Sequence, residues 1–248
     1  MYDPCLVIEP PTPKIARPVR PAASIVVPVY NEAPFVPEAL PQLVAAVMGA
    51  VPDAEILLIE NGSSDGTGDV ARRVAGESTV RVVSLPHPDY GAAMRHGFLI
   101  AEGDWVVNFD IDYFSASFLE TVLGQPDEID LVIASKRDPE SRDRRPVIRR
   151  AATMVFNLLL RVILGSRVSD THGMKGFRRA LIADLAPIVV STKDLFDTEL
   201  VIRAERAGYR IVEVPVEVAE MRAARSSLVK RVPRTIAGLF RIRSLLGG

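Results

Sequence analysis

Five short runs rich in β-branched residues recur along the first 135 residues: SIVVPV (24–29), AEILLIE (54–60), VRVVSL (80–85), DWVVNF (104–109) and DLVIAS (130–135). Each is continuously apolar rather than alternating, the pattern of a strand buried on both faces. Stretches of helical periodicity at 36–50, 65–76, 91–102 and 115–123 separate them, and parallel strands need crossovers of about that length. This part of the chain therefore predicts an α/β fold with a doubly wound, mainly parallel central sheet flanked by helices. In such sheets ligands bind beyond the carboxyl ends of the strands. That rule directs attention to Tyr30–Glu32, Glu60–Thr67, His87–Gly91 and Asp110–Tyr113, all polar and turn-like.

Flanking segments differ in character. Residues 1–22 hold Pro4, Pro10, Pro11, Pro13, Pro18 and Pro21, which favour an extended arm. A main domain is expected over 23–226 and a basic amphipathic helix over 227–248. Beyond Ser135, a basic stretch from Lys136 and Arg137 to Arg149 and Arg150 leads into an amphipathic helix at 151–164, interrupted by Asn157 and Arg161. DTHGMKGFRR (170–179), a helix around 196–207 and a strand at 210–218 complete the order.

Charge and cysteine content narrow the function. With 30 basic and 31 acidic residues, nothing draws the whole chain to nucleic acid. Yet Met221–Gly248 holds seven basic residues and no acidic one, which leaves a net −8 on the first 220 residues. Because those basic residues alternate with Leu, Val, Ile and Phe and lack a base-stacking platform, an anionic membrane surface is the expected partner. The single cysteine, Cys5, excludes an intramolecular disulfide or a thiolate metal cluster. No apolar run reaches the roughly 18 residues of a membrane span, and no signal-peptide core is visible. The expected location is cytoplasmic, peripheral at the cytoplasmic membrane face.

Cofactor signatures of dehydrogenases, P-loop NTPases and α/β-hydrolases are missing. The fourth strand instead runs directly into Asp110-Ile111-Asp112. In an extended segment, residues i and i+2 project from one face and can share a hard cation through oxygen; the same pair also occurs as solvated turn residues. Upstream, the ENGSSDGT loop offers Gly62 and Gly66 for tight turning, and Ser63, Ser64 and Asp65 to cap the next helix. Glu60 directly follows the buried ILLI run, at a strand end where ligands bind.

VPVYNE, ENGSSDGT and YGAAMRHGFLIAEGDWVVNFDID in this order resemble the family 2 glycosyltransferases of the GT-A fold, and within them the polyprenyl-phosphate, dolichyl-phosphate mannose synthase-like branch. The resemblance runs from about Ser24 to Lys230. It implies an inverting hexosyltransferase that uses a nucleotide-sugar donor, GDP-mannose or a UDP-sugar, and Mg²⁺ or Mn²⁺ on Asp110 and Asp112. Pro28, Tyr30, Glu32, Glu60, Gly91, Arg95, Asp110, Arg222 and Ser227 would bind the donor, Glu60 by holding the base. Lys136, Arg137, Arg150, Arg161 and Lys175 would bind a lipid phosphate or small-molecule acceptor. Asn157, Asp170 and Gly173 also match the branch, and Asp110, Asp112, Asp197 and Glu199 occupy its catalytic acidic positions. Departures are Asn61, where D-D-G-S is usual, Arg225 in place of the glycine of R-x-x-G-x-S, and Leu228 where a lysine is common.

Residue by residue, alternatives remain open. His87, His96 and His172 lack metal-ligand spacing, and a lone histidine is more often structural. Asp197 reads as a helix N-cap or a base, and Glu199 as a buried acid or a base. A hydroxyl acceptor would need such a base; a phosphate acceptor would not. The competing function classes are a soluble transferase acting on a small molecule, a nucleotidyltransferase and a non-catalytic sugar-nucleotide-binding module. VPVYNE is not the glycine-rich loop of a nucleotidyltransferase, and both carboxylates are retained.

Overall fold

The computed structural model describes residues 20–76, 79–135, 142–143, 147–168, 171, 173–218 and 228–246. The proline-rich arm lies almost wholly outside them. Strands β1 (Ala23–Val29), β2 (Glu55–Asn61), β3 (Val80–Leu85) and β4 (Trp105–Asn108) alternate with helices α1 (Val36–Ala50), α2 (Thr67–Ala75) and α3 (Tyr90–Ile100). Then come α4 (Ala116–Leu123), β5 (Leu131–Ser135), β6 (Arg142–Asp143) and α5 (Val147–Leu159), which leads into a π turn over Leu160–Leu164. The rest comprises β7 (Lys175–Arg178), α6 (Arg179–Leu185), α7 (Phe196–Arg206), β8 (Ile211–Pro215), β9 (Glu217–Val218) and α8 (Leu228–Leu246).

Seven strands form one sheet in the order β3-β2-β1-β4-β7-β5-β8, with β6 and β9 paired separately. Alternation along each strand builds two cores. Ile25, Val27, Ile56, Leu58 and Val107 face α1, α2 and α4, whereas Val26, Leu57, Ile59 and Val106 face α3, α6 and α7. Covering both faces is why these strands read as continuous apolar runs. A satellite cluster joins the π turn to α7 and α8 through Leu160, Ile163, Leu164, Ile202, Leu239 and Ile242.

Three features depart from expectation. β7 enters between β4 and β5, antiparallel to both, so the fourth and fifth predicted strands are not neighbours. β3 is an edge strand and only its first residue is fully buried, because a single neighbour leaves its flanks to solvent. The helix predicted as amphipathic at 151–164 is apolar on two sides, with Leu160 buried and Leu158 exposed. Among the described residues, no helix is long and apolar enough to cross a membrane.

Candidate active site

A cleft of about 150 Å³ opens where β1, β2 and β4 end. Pro28, Tyr30 and Glu32 line it from β1 and its loop, Asn61 from β2, Tyr90 from the start of α3, and Asp110 and Asp112 from beyond β4. Asp110-Ile111-Asp112 is not extended. Asp110 and Tyr113 exchange backbone hydrogen bonds at 3.1 Å in both directions, closing a tight turn, and Ile111 is anchored in the core. The two carboxylates reach one cleft through that turn rather than through strand alternation.

The loops after β1 and β2 are laced together. The Asn31 amide donates to Ser63 Oγ at 3.0 Å, and Asn31 Oδ1 accepts from the Ser64 amide at 2.9 Å. The Glu32 amide donates to Thr67 Oγ1 at 2.8 Å and the Ala33 amide to Asp65 Oδ2 at 3.1 Å. Asn31 adopts φ +53°, a left-handed conformation that asparagine tolerates better than most residues. Desolvation acts to raise the Asp65 carboxyl, but hydrogen bonds from Thr67 and Ala33 outweigh it and hold it below the usual range. The sequence suggests Ser63, Ser64 and Asp65 as caps for α2; Asp65 takes that role, its Oδ1 accepting from the amide of Thr67, the first residue of α2, at 3.0 Å, while Ser63 and Ser64 hold the neighbouring loop.

Glu60 is buried and its Oε1 accepts from the Ser63 amide. It sits under the loop, whereas Asn61 lines the cleft and accepts from the Asp89 amide at 2.8 Å. Gly62 has φ +65°, and a Cβ there would lie 2.7 Å from the His87 carbonyl carbon. Asp89 caps α3 by accepting from Ala92 and also receives the Lys193 amide. Gly91 serves close packing in the structure: a Cβ would meet the backbone of Thr192 and Lys193 at 2.8 Å. Arg95, one turn along α3, does not line the cleft. Tyr90 lies within the His87–Gly91 window that strand-end reasoning selects, yet only the fold singles it out.

Behind Tyr90 stands a buried charge pair. Lys175 is fully buried, and its Nζ lies 3.3 Å from Asp197 Oδ2 while donating to the Gly173 carbonyl at 2.8 Å. The Tyr90 hydroxyl donates to the same Asp197 oxygen at 3.1 Å. Lys175, expected as an acceptor ligand, is thus turned inward because its charge answers that of Asp197. Glu199 is enclosed as well: its carboxylate accepts from the amides of Val190 and Ser191 and from Arg203. Burial acts to raise the Glu199 carboxyl, and hydrogen bonds from Ser191, Val190 and Arg203 outweigh it and lower it. Glu199 therefore braces the segment before α7, and Asp197 is the acid that connects to the cleft. Arg161 is exposed on the π turn. Lys136, Arg137, Asp170, His172, Arg222 and Ser227, and the side chain of Arg150, lie outside the described residues.

Residues 24–186 match the family model of Glycosyl transferase family 2. Glycosyltransferase AglD of Haloferax volcanii is 32% identical over 203 residues, covering 78% of this chain but only 32% of that longer protein. Undecaprenyl-phosphate mannosyltransferase of Micrococcus luteus is 30% identical over 212 residues, 82% of this chain and 86% of that one. Among solved structures, glucosyl-3-phosphoglycerate synthase from Mycobacterium tuberculosis, in complex with Mn²⁺, UDP-glucose and phosphoglyceric acid, superposes with a TM-score of 0.65 at 21% identity, covering 90% of this chain and 78% of that one. The superposition shows a shared GT-A-type fold, a mixed sheet with a cleft at its strand ends, and the family match with the relatives makes the chain a glycosyltransferase. The chain belongs to Glycosyl transferase family 2.

Proposed function

We propose that the protein moves a sugar from a nucleotide-sugar donor to a polyprenyl-phosphate-type acceptor at a membrane surface. The observation that carries this reading is that Asp110 and Asp112 share one cleft with Tyr30, Glu32 and Asn61 at the carboxyl ends of β1, β2 and β4. The donor set suits a hard cation: two carboxylates, Asp110 and Asp112, lining one cleft. Mg²⁺ is commonly held by one or two carboxylates plus substrate phosphates, and Mn²⁺ accepts the same oxygen ligands. A divalent cation held on Asp110 and Asp112 would neutralise charge on the departing nucleoside diphosphate.

In this reading the cross-braced loops after β1 and β2 fix the donor site in advance, so that donor binding orders little further backbone. Glu60, one residue before Asn61, is the group proposed to recognise the base edge. A phosphate acceptor is already anionic near neutral pH and needs no strong base; Arg150 and Arg161, with Lys136 and Arg137, are the proposed phosphate ligands. Support for a lipid-linked acceptor comes from similarity to the undecaprenyl-phosphate mannosyltransferase. Should the acceptor offer a hydroxyl, Asp197 would be the base, reached through Tyr90.

A thermal-shift panel of GDP-, UDP- and dTDP-sugars with and without Mn²⁺ tests the donor site. Saturating the correct donor to about 100 times its Kd should raise Tm by on the order of 5 °C, with the gain dependent on metal. Transfer of radiolabelled sugar to polyprenyl phosphate in detergent then tests the acceptor. No stabilisation by any sugar nucleotide, or transfer only to water-soluble acceptors, would sink the proposal.

A further inference from the structure

Residues 154–164, MVFNLLLRVIL, carry apolar side chains all round the helix, interrupted only by Asn157 and Arg161. One side is used: Leu160, Ile163 and Leu164 pack against Ile202 of α7 and Leu239 and Ile242 of α8. Arginines lock that packing. Arg243 donates to the Ile163 carbonyl at 3.1 Å, and Arg206 donates to the carbonyls of Leu164 at 3.2 Å and Leu246 at 2.6 Å. The other side is bare, with Met154, Val155 and Leu158 60% exposed and Val162 68% exposed. Positions 154, 158 and 162 repeat every four residues and so share one helix face. A helix apolar all round is normally a buried helix, and among the described residues nothing covers this face.

Charge identifies the cover. From Arg144 to Ser169 there are six basic residues and no acidic one, and from Met221 to Gly248 seven and none. Packing of Leu239 and Ile242 of α8 against Leu160, Ile163 and Leu164 brings the described parts of these two segments, far apart in sequence, together. By sequence the two segments together hold thirteen basic residues, while the remainder of the chain carries a net −14; of these, the side chains of Arg161, Arg167, Arg234, Arg241 and Arg243 lie among the described residues of α5's continuation and α8. A second copy would set like charges against each other, which opposes self-association through this face. Apolar side chains bordered by arginines instead match a bilayer surface, where the former enter the interfacial zone and the latter meet anionic headgroups.

We infer that the bare face of α5 and the π turn, together with α8, is the surface on which this protein docks to an anionic bilayer. The inference deepens the function proposed above and rests on it for the lipid-linked acceptor; the geometry of the face stands apart from it. In flotation assays the full-length protein should bind vesicles of phosphatidylcholine with phosphatidylglycerol, should not bind phosphatidylcholine alone, and should release as salt rises. The double variant Leu158→Glu with Val162→Glu alters side chains already in solvent, so folding should persist, and vesicle binding should fall at least about tenfold. Leu99→Glu, at a comparably exposed leucine on α3, should bind as wild type does. Equal binding by wild type and the double variant would overturn the inference, as would a dimer that Leu158→Glu dissociates. Transfer to polyprenyl phosphate in detergent without vesicle binding would remove the docking face and leave the transferase reading intact. Vesicle binding without transfer to any lipid phosphate would do the reverse.

Discussion

Lys175 and Asp197 are a buried pair whose members cannot be removed singly without leaving an uncompensated charge. Losing one partner of such a pair typically costs about 3 kcal/mol or more, whereas replacing both with apolar groups of similar size can be nearly neutral. Lys175→Met should therefore lower stability by roughly that amount in urea titration, and Lys175→Met with Asp197→Leu should recover most of it. Additive losses would mean that the two do not act as a pair. At the cleft, Asp110→Asn or Asp112→Asn should reduce turnover on the order of 100-fold or more with unchanged Tm, because removing charge stabilisation at the reacting centre has effects of that size. Wild-type rates in metal-depleted buffer would remove the cation from the mechanism. Asp110 and Asp112 are visible in the sequence as a pair through the family resemblance and not through spacing alone, since a turn and not strand alternation carries them to the cleft. The inward turn of Lys175 is not visible there, because its burial follows from the entry of β7 between β4 and β5, a tertiary event that no local pattern announces.

The loops after β1 and β2 behave as one element because five hydrogen bonds among the described residues join them. Asn31 holds two properties that substitutions can separate. Asn31→Gly keeps the φ +53° conformation accessible and loses only the side-chain acceptor, whereas Asn31→Ala loses the acceptor and adds backbone strain of about 1 kcal/mol. Donor affinity should fall in the order wild type, glycine, alanine in calorimetric titration; identical affinities would show that the brace does not shape the cleft. In the first turn of α7, Glu199 gives the element a pH signature. Its folded carboxyl lies below the ordinary value, so its contribution is fully present above the unfolded pKa and disappears as pH falls through the lower folded pKa. Glu199→Gln should lower stability by about 3 kcal/mol at pH 7 and flatten the fall in Tm as pH decreases from about 5. A parallel fall in both proteins would exclude Glu199 as its source. Strands β1 to β5 are readable because burial on both faces imposes continuous apolar runs, but β3 carries the same signal while lying at the edge. Composition reports propensity, and only sheet order decides which strand lacks a neighbour.

At the scale of the molecule, the donor cleft and the α5–α8 face are built on different supports. The cleft stands on the ends of β1, β2 and β4, and its lining residues belong to none of the helices that carry the bare stripe. The stripe depends on the satellite cluster, where Leu239 is fully buried between the π turn and α7. Truncating a buried leucine removes transfer free energy and leaves a cavity, together about 3 kcal/mol. Leu239→Ala should lose that much stability locally, loosening α8, which carries Arg234, Arg241 and Arg243, from Leu160 and Ile163. Nucleotide-sugar affinity should stay at the wild-type value, while binding to anionic vesicles should weaken severalfold and its salt dependence become shallower, since fewer charges would meet the surface together. Donor titration and vesicle flotation on the same preparation distinguish the outcomes. If both fall together, the sheet and the α8 edge are one cooperative unit; if neither changes, α8 does not organise the basic face.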